Sequence, residues 1–262
     1  MPEILGEYID RLCNVEMMCL SDTLPRGVRH LLYEKARARQ GRPLHYLAAK
    51  ALMERVRPGE RVFIVAGSGS PPWLYNGETD GPLGAAAMAH ALDIGLGAKP
   101  VLINEERFID TTVGPVEAAG VSVLDEKLFA QRGHAALMVP FPEGDEGARE
   151  RAIGLIEKFQ PRAMIFIERT GPNEKGVFHS ITGTAKKPET VAHVHYLALE
   201  ARPRGILTIG IGDGGNEIGF GMIHAEAKKI QKYGEKCQCP CQSGVITVVA
   251  TDILVPAAIS NW

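Results

Sequence analysis

The sequence predicts an α/β protein: a mostly parallel sheet flanked by helices in three layers, with a helical N-terminal extension. Three observations predict it. After Pro58-Gly59, short apolar runs alternate with longer amphipathic stretches. The runs are continuous rather than alternating in polarity, as expected of strands buried on both faces. The long polar or Gly-rich segments follow directly on the runs, where open α/β sheets bind ligands. Residues 1–262 read as one domain, with 1–57 the helical segment and 58–262 a Rossmann-like catalytic core.

Taken in order, the N-terminal segment carries three sets of apolar residues at helical spacing. These are Ile4, Tyr8, Ile9 and Leu12; then Val28, Leu31, Leu32 and Ala36; then Leu44, Leu47, Ala48, Ala51 and Leu52. They predict two or three helices. Strands are predicted at "RVFIVAG", "KPVLIN", "VSVL", "ALMVP", "RAMIFIE", "ILTIGIG" and "VITVVA". Helices are predicted between them over 82–96, 108–119, 143–159, 189–201 and 220–232. The first of these is marked by Pro82, which suits a first turn, and by Thr79 and Asp80 as capping residues.

Composition narrows the class of function. With 45% hydrophobic residues, 23% charged residues and a net charge of -2, the chain can bury a sizeable core. No basic block marks a nucleic-acid or membrane-surface footprint, so a small-molecule substrate is expected, and a homo-oligomer is possible. No apolar run approaches the length of a membrane span. The five cysteines do not form an even disulfide framework, and the acidic start lacks the regions of a signal peptide, which together predict a cytoplasmic protein.

Three loops carry chemistry. The first, "GSGSPPWLYNGETDGPLG", leads from a strand into the Pro82 helix, whose exposed amides favour an anion. The second, "IERTGPNEKGVFHSITG", gathers Glu168, Arg169, Asn173, Glu174, Lys175 and His179 on a glycine- and proline-shaped course. The third, "GIGDGGNEIGFG", sets six glycines around Asp213, Asn216 and Glu217. It formally contains G-x-G-x-x-G at Gly210, Gly212 and Gly215, but Asp213 would repel a pyrophosphate there, so NAD is not expected. Oxygen donors on a glycine frame suit a hard cation or a substrate ammonium.

Two other features read as structural. Cys237, Cys239 and Cys241 alternate, but the spacing is unusual for zinc and no fourth ligand is evident, which favours an incidental thiol cluster over a metal or Fe–S site. His193 and His195 stand two apart on a predicted helix, where their rings point to different faces.

Jointly, "GETDGPLGAAAMAHAL", "ERTGPNEKGVFHS", "TIGIGDGGNEIGFG" and the closing "TDILVPAAISNW" resemble the D-glutamate cyclase family over roughly residues 61–262. The resemblance implies a hydro-lyase that converts D-glutamate to 5-oxo-D-proline with loss of water, and further helical chain after the position of Trp262. For such a reaction, Asp80, Glu168, Asp213 and Glu217 are expected to gather a divalent cation (magnesium or manganese) or the substrate ammonium. The stretch Gly67, Ser68, Gly69 and Ser70, or the start of the Pro82 helix with Thr79 and Gly81, is expected to hold a carboxylate; Arg169, Asn173 and Asn216 complete the substrate contacts. Asp213 or Glu174 would be the base, Lys175 would offset charge on the attacked carboxyl, and His179 would donate a proton. The same loops would also serve a divalent-metal-dependent phosphohydrolase or a non-catalytic small-molecule binding domain.

Overall fold

In the computed structural model the described residues are 2–16, 26–67, 69 and 74–259; the predicted contacts of Ser68 and Ser70, and the closing stretch 260–262, lie outside them. Three helices come first: α1 (Glu3–Cys13), α2 (Val28–Gln40) and α3 (Leu44–Arg55). Then β1 (Arg61–Ala66), α4 (Pro82–Leu96), β2 (Lys99–Glu105), α5 (Ile109–Ala118), β3 (Ser122–Leu124), α6 (Glu126–Gln131) and β4 (Ala135–Phe141) follow. The chain continues through α7 (Ala148–Phe159), β5 (Ala163–Ile167), α8 (His195–Ala201), β6 (Leu207–Gly212), α9 (His224–Ile230) and β7 (Ile253–Pro256).

The seven strands form one sheet in the order β3-β4-β2-β1-β5-β6-β7, and every pair is parallel. Side chains alternate across it. Val62, Ile64 and Ala66 of β1 pack on one face with residues of α2, α3, α4 and α9, whereas Phe63 and Val65 pack on the other with α7 and α8. This is the three-layer arrangement that continuous apolar runs require, because both faces of each central strand are covered. The N-terminal helices belong to it: Leu32, Ala36 and Leu44 are fully buried in the same cluster as the sheet, and Gln40 bonds both the amide and the carbonyl of Leu254 in β7.

Asp10 ties those helices together. It is fully buried and accepts hydrogen bonds from Tyr33 Oη (2.9 Å), the Leu44 amide (2.7 Å) and the His45 amide (3.0 Å), and it pairs with His45 Nδ1 at 2.6 Å. Burial presses the His45 pKa down, but the Asp10 carboxylate overcomes it and lifts it to about 9.

The strand order reverses at β1, which has β2 on one side and β5 on the other, so the ends of β1, β5 and β6 open onto one crevice. Register does the rest. Ala66 pairs with Ile167 and Ile167 with Ile211, so Gly67, Glu168 and Asp213 leave neighbouring strands at nearly the same level. Helix α4 starts at the same edge on Pro82 after Gly81 (φ +94°); a Cβ at Gly81 would stand 2.7 Å from the Gly67 amide nitrogen.

Some expectations are corrected. "VITVVA" is no strand: Val245, Thr247 and Val248 donate to the carbonyls of Tyr233, Gly215 and Pro172, so its amides serve loops and its apolar character reflects burial alone. The seventh strand is "ILVP". Helix α7 starts at Ala148 rather than 143, after Gly144 and Gly147 with φ of +84° and +68°. Helix α8 starts at His195, so His193 precedes it, and the two imidazoles lie 5.6 Å apart instead of pointing to different faces. The stretch 220–232 divides into a short turn at Gly221–Ile223 and α9.

Candidate active site

The crevice at the strand ends is a cavity of about 520 Å³. The β1–α4 loop brings Glu78, Thr79 and Asp80 to it, and the β5–α8 loop brings Glu168, Thr170 and Lys186. The β6 loop adds Asp213, Asn216 and Glu217. Oxygens of Glu168, Asp213 and Glu217 lie within 4.8 Å of one another, and all three side chains are buried. Three carboxylates so close in low dielectric cannot all ionise at ordinary cost.

Each acid responds differently. Burial pushes Glu217 up to about 7, and the charge of Asp213 adds to it, although the amides of Gly214 (3.2 Å) and Gly215 (2.8 Å) donate to its Oε2. Burial and then the charges of Asp213 and Glu78 raise Asp80 to about 6. Glu168 stands well above the usual carboxylate range through burial and through Asp213, Glu217 and Asp80. Asp213 is also raised by burial, against a strong counter-charge: Arg29 of α2 donates to its Oδ2 from Nε (3.0 Å) and Nη2 (2.8 Å).

The glycines around Asp213 make room for Glu217. A Cβ at Gly212 would sit 2.8 Å from Glu217 Cβ and Cγ, and one at Gly210 would sit 2.3 Å from the Ile218 carbonyl oxygen. The loop therefore folds its own glutamate back over the strand end.

Of the residues expected from sequence, Asp80, Glu168, Asp213, Glu217, Asn216 and Thr79 meet in this cavity. Gly67, Gly69 and Gly81 do not line it: the Gly67 carbonyl accepts from Arg169 Nη1 (2.7 Å), and the Gly69 carbonyl accepts from Nζ of the lining Lys186 (3.2 Å). Five expected residues point elsewhere. Arg169 is fully buried in a bidentate pair with Glu105, Nη1 to Oε2 at 2.7 Å, and so serves the scaffold. Asn173 fixes its own loop, accepting from the amides of Lys175 and Val177 and donating to the Gly244 carbonyl. Glu174 is exposed and paired with His224 (2.9 Å) and Lys228 (3.2 Å), and Lys175 lies on the same outer turn. The imidazole of His179 faces Cys239 and Cys241.

Sequence reasoning missed Arg29, Lys186 and Thr170, whereas Glu78, one of the polar groups that mark the first loop as a site, does line the cavity. Arg29 sits 184 residues from its partner on a helix read as peripheral, and nothing in its neighbourhood hints at the contact. Lys186 was within reach of inference, since it follows the polar loop and is followed by Pro188 near the next helix. The N-capping and Gly-rich signals alone drew attention to the other walls.

A parallel α/β fold with a buried acid cluster at its switch point is the architecture of a small-molecule site, and among the described residues no helix is long and apolar enough to cross a membrane. The profile of the family described as D-glutamate cyclase-like, C-terminal, matches residues 15–262, and the chain belongs to that family. It is similar to the human protein named D-glutamate cyclase, mitochondrial, at 28% identity over 192 residues, covering 71% of this chain and 28% of the relative. The chain thus spans under a third of that relative's length. Solved structures give weaker likenesses. UDP-glucose 4-epimerase from Brucella ovis in complex with NAD has a TM-score of 0.29 at 18% identity, over 59% of this chain and 36% of that one. Ureidoglycine-glyoxylate aminotransferase from Bacillus subtilis has a TM-score of 0.25 at 12% identity, over 78% and 38%.

Proposed function

We propose that this protein is a hydro-lyase that closes D-glutamate to 5-oxo-D-proline with loss of water. Family membership supports the reaction class, and one observation carries the assignment to this cavity: Glu168, Asp213 and Glu217 lie within 4.8 Å, with Glu217 at about 7. Ring closure forms the N–C bond and breaks a C–O bond of the distal carboxyl. The ammonium loses two protons and the departing oxygen gains two, so the enzyme's acids end as they began. A carboxyl poised near neutral pH suits that traffic, because it both takes and returns a proton at little cost.

In this reading Glu217 takes a proton from the ammonium, which the acid cluster attracts. Asp213, paired with Arg29, holds the amine in place, and Asp80, at about 6, passes a proton to the leaving oxygen. Lys186 and the N-terminal end of α4 meet the substrate carboxylates. In place of the ammonium, a divalent cation such as magnesium or manganese would also fit Glu168, Asp213 and Glu217, since they are hard oxygen donors and the buried Asn216 Oδ1 beside them has no hydrogen-bond partner among the described residues; it would polarise the distal carboxyl, and these acids would then be its ligands rather than the holder and base of the amine. The cytoplasmic setting expected from the sequence is kept as part of this proposal, although the human relative is named as mitochondrial.

The test is chiral chromatography of product from D-glutamate, L-glutamate and D-aspartate, with divalent ions supplied or chelated. D-glutamate should yield 5-oxo-D-proline and D-aspartate nothing, because its closure would form a strained four-membered ring. L-glutamate should lose rate more than affinity, since three anchors cannot all be met by its mirror arrangement. Equal turnover of both enantiomers overturns the anchoring, and phosphate release from phosphoesters without any 5-oxoproline overturns the reaction.

A further inference from the structure

We infer that Cys237, Cys239, Cys241 and His179 form a structural zinc site that clamps the loop after α9 onto the β5–α8 loop. The three thiols were expected to lack a fourth ligand; the fold supplies it from a distant segment. His179 Nε2 lies 3.2 Å from Cys239 Sγ and 3.6 Å from Cys241 Sγ, and Cys237 Sγ lies 3.4 Å and 3.3 Å from those of Cys239 and Cys241. The four donor atoms all fall within 4.8 Å of one another. A tetrahedron with Zn–S of about 2.3 Å and Zn–N of about 2.0 to 2.1 Å has edges of about 3.8 Å between sulfurs and about 3.6 Å between nitrogen and sulfur. The observed edges are slightly inside that, as one ion at the centre would need only a small outward adjustment. A four-iron cluster spreads its ligands over separate irons and needs a wider cage.

The surroundings match a metal ligand set. Nδ1 of His179 is 3.1 Å from the Val177 carbonyl, which can only accept, so Nδ1 carries the proton and Nε2 turns its lone pair to the sulfurs. Asn173 Nδ2 donates toward Cys241 Sγ at 3.4 Å while its Oδ1 holds the Val177 amide, so one side chain orients both halves of the site. His179 is fully buried and Cys237 nearly so. A turn closed by the Gln242 amide on the Cys239 carbonyl folds Cys239 and Cys241 back together, which explains how alternate residues reach one ion. Four protein donors leave no open position, the mark of a structural rather than a catalytic ion.

The site has a purpose in the architecture. Residues 231–252 contain no helix or strand, an unusual length of irregular chain inside a compact fold. On the other side, His179 adjoins Ser180, Ile181 and Thr182 of the acid-lined cavity, and its carbonyl accepts from Asn216 Nδ2 at 3.1 Å. The ion would hold one wall of the cavity at a fixed distance from the acids.

The test uses the full chain, untagged, from zinc-supplemented culture. Mass-spectrometric metal analysis should find one zinc per chain after gel filtration. Exchange into cobalt should give thiolate charge-transfer bands and tetrahedral d–d bands. Asp213→Asn should keep both signals, because it alters only the acidic pocket. Cys239→Ser should lose them, while Cys241→His should retain the ion with shifted bands, which keeps the test valid should the serine variant fail to fold. Little metal in folded, reduced wild type overturns the inference. So does an octahedral cobalt spectrum abolished by Asp213→Asn, or a disulfide between Cys237 and Cys241 in peptide maps.

Discussion

At Asp213 two forces oppose each other: burial favours its neutral form and the Arg29 guanidinium its charged one. Removing Arg29 leaves burial unopposed. Arg29→Leu should therefore move the acidic limb of the kcat/KM profile for D-glutamate to higher pH, with the fold retained by circular dichroism; an unchanged limb would mean that Asp213 does not titrate in turnover. Asp213→Asn should lower kcat/KM for D-glutamate by about one to two orders of magnitude, the worth of one charged hydrogen bond to the ammonium, without a matching loss of thermal stability. Gly212→Ala tests the glycine frame at the same scale. Its Cβ would meet Glu217 at 2.8 Å, so the glutamate must shift, and turnover should fall even though the substitution adds one methyl group. The role of Arg29 was invisible in the sequence because a lone basic residue carries no spacing signal; the acids Asp213 and Glu217 were legible because their glycines are costly anywhere else.

Among the elements, α1, α2 and α3 depend on a single buried carboxylate. Asp10→Ala strands His45 and two amides and should destabilise the protein by about 3 to 5 kcal/mol, as measured by denaturant unfolding. The sign with pH follows from His45, whose folded pKa of about 9 exceeds its ordinary 6.5. Its contribution is full below about 6.5 and is lost as pH rises toward 9, and this slope should vanish in His45→Gln. Helical spacing correctly announced α1, yet Ile4, Tyr8 and Leu12 of its stripe are 65%, 60% and 64% exposed. Periodicity reports that a face exists and not which way it turns. The same limit explains "VITVVA": β-rich and largely buried, it gives its amides to loop carbonyls instead of to a neighbouring strand.

Over the whole molecule the acid cluster trades stability for chemistry. Asp80 and Glu217 bind protons more tightly folded than unfolded, their values rising from 3.8 to about 6 and from 4.5 to about 7. The folded state therefore holds more protons, and the stability they contribute falls as pH rises from about 4 to about 7. Thermal midpoints should decline over that window. If the cluster takes a divalent cation, magnesium or manganese should raise the midpoint more at pH 7.5 than at pH 5, because protons compete at the lower pH. An equal shift at both would place the ion away from these acids.

By itself the sequence determined the layer order, six of the seven strands, the three loops at their carboxyl ends and the acids those loops carry, because each is written in local period, turn chemistry or glycine content. Tertiary structure alone decided which polar groups meet. It drew Arg169 away to Glu105, turned Glu174 out to His224, carried Arg29 in from α2 and swung His179 toward the three cysteines. Such pairings join residues far apart in the chain, and their energy depends on distance and burial, which no short window of sequence contains.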